Sequence, residues 1–151
     1  MDVVQIKTCY VIEDSEDEIF LTRLLFDRQN VALEIQHFFE FDTFYATVVN
    51  STEEDLRSSL TIVDLNLKVS NGNEAVATLK SLKDGTERLV GICSGSEDPA
   101  DKADAKAAGA DFFVSKPLNL DAITRIASAI EALEVRQGDA GETSLWRRLE
   151  R

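Results

Sequence analysis

Residues 60 to 94 read LTIVDLNLKVSNGNEAVATLKSLKDGTERLVGICS. Two apolar runs, Leu60 to Val63 and Leu89 to Cys93, have the length of strands and are rich in branched residues. Between them Ala75, Val76, Leu79 and Leu82 recur at the spacing of a helix with one buried face. Strands apolar on both faces, joined through a helix, are how a parallel sheet covered on two sides reads. A strand-helix-strand unit of α/β type is therefore expected here.

The same alternation runs outward in both directions. Further candidate strands are residues 8 to 12, 31 to 38 and 111 to 115, which with 60 to 64 and 89 to 93 make five. Phe20, Leu21, Leu24 and Leu25 fall at helical spacing, as do Ile123, Ile126, Ala127, Ile130 and Leu133. Ser15 with Glu18 can form a capping box, and Asp98-Pro99 supplies an N-cap followed by proline at the first helical position. Gly109 can close that helix. A helix over Thr43 to Val49 capped by Asp42 is expected, with Asn50 to Asp55 as a long polar surface loop.

The chain has 151 residues, one domain's worth, with 28 acidic against 16 basic side chains and a net charge of −12. Such a balance opposes binding to nucleic acid or anionic lipid. No stretch approaches the ~18 apolar residues of a membrane span, and the start lacks a leader pattern, so a cytoplasmic protein is expected. Cys9 and Cys93 have neither metal nor redox spacing and read as buried reduced thiols.

In an open parallel sheet, functional groups gather beyond the carboxyl ends of the strands. There the sequence offers Glu13-Asp14, Asp64, Ser94 and Ser115-Lys116-Pro117. Three carboxylates on one edge repel unless protonated or offset by a cation. A hard divalent ion suits them, and magnesium best, since it binds through one or two carboxylates while keeping positions for water and phosphate. Glu16, Asp17 and Glu18 read instead as a solvated helix start. His37 reads as a packed or edge residue.

With Glu13-Asp14-Ser15, Val63-Asp64-Leu65, Cys93-Ser94-Gly95 and Val114-Ser115-Lys116-Pro117 in place, residues 7 to about 135 resemble the receiver domain of two-component response regulators. The spacings fit too: 30 positions from Asp64 to Ser94 and 22 from Ser94 to Lys116. The resemblance implies a flavodoxin-like (βα)5 doubly wound sheet of strand order 2-1-3-4-5. It implies a single-domain regulator that accepts a phosphoryl group on Asp64, with magnesium held by Asp14, Asp64 and the backbone carbonyl of Asn66, and by Glu13 through a water. Lys116 would pair with phosphoryl oxygens, Ser94 and Phe113 would form the switch pair, and the Lys116 to Pro117 bond would be cis. Such a chain is a signalling domain rather than an enzyme. Its implied partners are a sensor histidine kinase or a phosphotransfer protein, with a protein target or a homodimer downstream. Lys68, where proline is common, suggests a mobile loop from Leu65 to Gly72.

Two other chemistries fit less well. A hydrolase with an aspartyl-phosphate intermediate wants a second carboxylate two positions on, where Asn66 stands. A flavin carrier wants a Gly, Ser and Thr loop after the first strand, where five of the six residues from Glu13 to Glu18 are acidic. The remaining alternative is a degenerate receiver that binds partners without phosphorylation.

The strand order separates Cys9 from Cys93 by two strand spacings, about 9 to 10 Å, too far for a disulfide. Residues 1 to 137 would form the receiver and 138 to 151 a tail. Gly138-Asp139-Ala140-Gly141 reads as a flexible break, and Glu142 to Arg151 as a short amphipathic helix with Leu145, Trp146 and Leu149 on one side. Truncation after Gln137 is then expected to spare phosphorylation of Asp64.

Overall fold

The computed structural model describes residues 2 to 85 and 87 to 150. In chain order the elements are β1 (Val3–Ile6), β2 (Thr8–Ile12), α1 (Glu16–Arg28), β3 (Glu34–Phe38), α2 (Phe41–Val48), α3 (Glu53–Arg57) and β4 (Ser59–Asp64). Then come α4 (Gly72–Lys80), β5 (Val90–Ser94), α5 (Pro99–Ala107), β6 (Phe112–Ser115), α6 (Leu120–Ala129), β7 (Leu133–Gln137) and β8 (Thr143–Arg148). Strands β3-β2-β4-β5-β6 form an all-parallel sheet in that order, which is the expected 2-1-3-4-5 of the five βα units.

Alternation along each strand divides the core between two faces. Cys9, Val11, Leu60 and Ile62 pack with Ile19 and Phe26 of α1 and Ile123 and Ile126 of α6. Ile12, Val63, Val90 and Ile92 pack with Phe44 and Val48 of α2, Val76 and Leu79 of α4, and Ala105 of α5. Ser15 accepts from the Glu18 amide, Asp98 caps α5 ahead of Pro99, and Gly109 takes φ 100 just beyond that helix.

Both cysteines are buried and free, and burial pushes each thiol up to about 12. Neither presents a thiolate at neutral pH. Native protein is accordingly expected to react with an alkylating or disulfide reagent orders of magnitude more slowly than protein in denaturant. Rapid native labelling of either residue would contradict this packing.

Several elements differ from the sequence reading. The second strand is shorter than 31 to 38, and Val31 instead makes an isolated bridge to Thr143. Helix α2 starts at Phe41 behind Glu40, not behind a capping Asp42. The expected loop at 50 to 55 contains the start of α3, whose N-cap Thr52 accepts from the Asp55 amide. Helix α6 ends at Ala129, and Leu133 opens a strand instead of continuing the helix.

The largest correction is at the tail. Thr143–Arg148 is a strand, not a helix, and it lies between β1 and β7 in a three-stranded antiparallel sheet. Gly138 to Gly141 form the hairpin connection, with the Gly138 amide bonded to the Glu142 carbonyl and Gly141 at φ 82. Leu145 is wholly buried and shares the core with Ile6, Leu133 and Ile126. The division after Gln137 therefore cuts through a packed sheet.

Candidate metal and phosphoryl site

The site begins at the end of β2, where Glu13 is buried at 4% exposure and Asp14 is half-buried. The Glu13 amide bonds the Phe38 carbonyl, and His37 Nε2 donates to the Glu13 carbonyl at 2.6 Å. His37 meets Phe39 edge to face with ring centroids 4.3 Å apart. Strand β3 thus holds the backbone of Glu13. The sequence reads His37 as a packed or edge residue and carries no sign of this contact, which follows only once β3 lies beside β2.

Asp64 closes β4 at 7% exposure and sits opposite Cys93 in the ladder. Its Oδ1 accepts from the Asn66 amide at 3.4 Å. Asn66 and Asn71 form a bridge across the loop, and the Gly72 amide bonds the Leu65 carbonyl. A Cβ on Gly72 would come within 2.4 Å of the Asp64 carbonyl, so only glycine lets α4 start this close to the site. Lys68 donates its amide to Asp14 Oδ2 at 2.6 Å, which ties the loop to the acidic pair.

Lys116 Nζ lies 2.7 Å from Glu13 Oε1 and 3.4 Å from Asp64 Oδ1. The Lys116 backbone is held by the Ser94 carbonyl, and the Lys116 to Pro117 bond is cis. Ser94 is wholly buried at the end of β5, one residue past the partner of Asp64, and its Oγ accepts from the Ser96 amide. Phe113 lies half-buried against the second core cluster, opposite Ile92. Register therefore brings Ser94, Lys116 and the carboxylates to one sheet edge.

One lysine cannot satisfy three carboxylates. Oxygens of Glu13, Asp14 and Asp64 all lie within 4.8 Å of one another, and Glu13 Oε2 is buried without a hydrogen-bond partner. An orphaned buried carboxylate oxygen in an all-oxygen set is what a hard divalent cation would complete. Burial pushes the Glu13 carboxyl up to about 7; the Lys116 hydrogen bond opposes this, and the hydrogen bond and charge of Asp64 add to it. Burial would lower Lys116, but its hydrogen bond to Glu13 and the charges of Asp64 and Glu13 outweigh it, so its ammonium is held above the ordinary lysine value.

The raised Glu13 value has a defined consequence for the chelated protein. Unfolded chain releases this proton near 4.5, whereas folded chain keeps it to about 7. The unfolded state binds fewer protons across that window, so this group makes stability fall as pH rises through it. Urea midpoints in the presence of chelator are expected to drop from pH 4.5 towards 7 relative to Glu13→Gln, which has no such proton to lose. Parallel curves for the two proteins would exclude the effect.

A cleft of about 380 Å³ opens beside Asp14, lined by Phe39, Phe41, Leu67 and Val69 among others. Fold and site together define a doubly wound α/β protein with an acidic, divalent-cation type of pocket at the carboxyl edge of its sheet. The response regulator receiver domain model matches residues 9–128, and the chain belongs to that family. Receiver domains are signalling modules that work with histidine kinases or phosphotransfer proteins and bind magnesium at an acidic cluster.

Solved structures agree on the fold. The bacteriophytochrome response regulator AtBRR superposes with TM-score 0.67 at 18% identity, covering 85% of this chain and 94% of its own. Chemotaxis response regulator CheY4 of Vibrio cholerae gives TM-score 0.65 at 18% identity, with 80% and 98% covered. The Mn(2+)-bound form of response regulator Rcp1 gives 0.60 at 20% identity, with 83% and 92% covered. No individual curated protein matches the chain in sequence. Among the described residues no helix is long and apolar enough to cross a membrane. Strands β1, β7 and β8 all lie outside the family match.

Proposed function

We propose that this chain is a response-regulator receiver whose Asp64 accepts a phosphoryl group in a magnesium-dependent step. The observation that carries the reading is the joint placement of Asp64, Glu13, Asp14 and Lys116, with a buried Glu13 oxygen left unpartnered. Asp14, Asp64 and the Asn66 carbonyl would hold magnesium, with Glu13 acting through a water. Bound there, the ion supplies the positive charge that offsets the carboxylates and the incoming phosphoryl group.

The chain's own residues do the rest. A carboxylate oxygen of Asp64 forms a bond to phosphorus as the bond from phosphorus to the donor breaks, and the leaving group departs with that electron pair. Lys116, held charged by its acidic neighbours, turns from Asp64 to the phosphoryl oxygens. The Ser94 hydroxyl donates to one of them, and Phe113 follows it inward. The added charge of about −1.5 to −2 is what recruits Lys116 and Ser94 and shifts the surface of α5, β6 and α6.

A protein phosphodonor fits this edge. Phe20 and Leu21 on the second turn of α1, Phe39 after β3, and Val69 after β4 are the exposed large hydrophobics among the described residues, and all lie towards the carboxyl end of the sheet. Apolar groups around a charged pocket suit a sensor kinase or phosphotransfer partner in a cytoplasmic relay. Incubation with acetyl phosphate should give a single phosphoryl adduct by intact mass spectrometry, lost when magnesium is chelated. No adduct at saturating donor and magnesium would leave the chain a binding module that works without phosphorylation.

A further inference from the structure

The small sheet that lies outside the family match ends on an open edge. Strand β7 pairs with β8 alone among the described residues. In an antiparallel ladder, residues alternate between bonding the partner strand and pointing away from it. The Gly138 amide bonds the Glu142 carbonyl, and the Arg148 amide bonds the Ala132 carbonyl. Even-numbered residues of β7 therefore face β8, and the amides and carbonyls of Val135 and Gln137 and the carbonyl of Leu133 point outward. The Leu133 amide is already used by the Ile130 carbonyl.

We propose that this edge pairs antiparallel with the same edge of a second copy of the chain, about a two-fold axis at Val135. Val135 then exchanges both backbone bonds with its counterpart, and on each side the Gln137 amide meets the partner's Leu133 carbonyl. The Leu133 amide is already taken, so the Gln137 carbonyl that faces it goes unpaired and the ladder holds four bonds. It also places Glu134 directly opposite Arg136 of the other copy, twice, on the outer face of the sheet.

That charge pattern selects the occupant. Glu134 and Arg136 sit two residues apart on one face, with Arg136 Nη2 3.3 Å from Glu134 Oε1 and its guanidinium 4.4 Å over Trp146. A strand reading Glu-Val-Arg is self-complementary only when paired antiparallel about its middle residue. Opposite charges facing across such a pair stabilise it, and like charges oppose it. An open edge with such a pattern is a template for strand addition.

Sedimentation of the full chain over a range of concentrations tests this. Wild type should show a reversible dimer. Glu134→Arg and Arg136→Glu should each raise its dissociation constant at least ~tenfold. An equimolar mixture of the two variants should dimerise again, because each restores the charge the other lost, and so should the double variant E134R/R136E. Restoration on mixing separates lost pairing from misfolding. A wild type that stays monomeric, a dimer indifferent to both changes, or variants that mixing does not rescue would each overturn the proposal. Phosphorylation of Asp64 can fail with this result intact, and the reverse.

Discussion

Truncation after Gln137 is expected to abolish the cooperative unfolding transition, or to lower its midpoint so far that little folded protein remains at ambient temperature. Strand β8 is the middle strand of its sheet, paired to β1 through Ile6 and Leu145 and to β7 through Val135 and Leu145. Removing it takes Leu145 and Thr143 out of the core and uncovers Ile6 and Leu133. The single change Leu145→Ala already should cost about 2 to 5 kcal/mol, against the ~5 to 15 kcal/mol by which domains are stable.

A graded series checks the account. Trp146→Ala loses a partly covered ring, its hydrogen bond to Ser144 and its contact with Arg136, the last worth about 0.5 to 1 kcal/mol, and should fall short of Leu145→Ala. Urea titrations followed by circular dichroism would rank the three. If the truncated chain melts like wild type, the small sheet is an independent appendage. Loss of phosphorylation in the truncated chain would then be unexpected; with the sheet integral, it is a consequence of unfolding.

The tail reads as a helix in sequence because two periods compete in so short a stretch. Leu145, Trp146 and Leu149 fit one side of a helix, while Thr143, Leu145 and Arg147 alternate as a strand does, and periodicity cannot arbitrate over six residues. What decides is partners far away in sequence: Val3–Ile6 on one side and Leu133–Gln137 on the other. For the same reason β1 is not legible as a strand in the sequence. The end of α6 hid differently, since Ile130 and Leu133 keep the helical spacing and still face the first core, yet Ile130 already has extended backbone at φ −121 and ψ 114.

Elements whose signals are local were legible. The βα units between Thr8 and Ala129 could be traced because the central strands β4 and β5 are buried on both faces, the edge strand β3 alternates, and most helices carry a stripe at helical spacing. Helix α3 has a single buried residue, Leu56, so it lacks a stripe; its legible signal was the Thr52 cap before an acidic first turn. The site was legible by rule, because the acidic, hydroxyl and lysine residues each directly follow or close a strand. The His37 and Lys68 contacts were not, since both go through the backbone of the acidic pair or its loop, and residue type carries no trace of that.

Asp64→Asn is expected to remove phosphoryl acceptance completely while leaving the metal-free protein at least as stable as wild type. The two effects have one cause in the pocket. The amide oxygen of asparagine is too weak a nucleophile to take the phosphoryl group, so the adduct should vanish at any donor concentration. In the same change one of three crowded carboxylates disappears. Hydrogen bonding and charge from Asp64 are among the causes that raise Glu13, so their loss should let Glu13 ionise nearer its ordinary value and bond Lys116 as a carboxylate. Melts in chelator should therefore match or exceed wild type at pH 7, whereas the gain from added magnesium should shrink, because a ligand has been lost. Wild type should gain about 2.7 kcal/mol at a hundredfold excess of magnesium over its dissociation constant. A variant that still forms the adduct would put the acceptor at another carboxylate, with Asp14 and Glu13 the nearest to it. A variant that loses both the adduct and its fold in chelator would show that Asp64 holds the sheet edge together through Lys116 rather than crowding it.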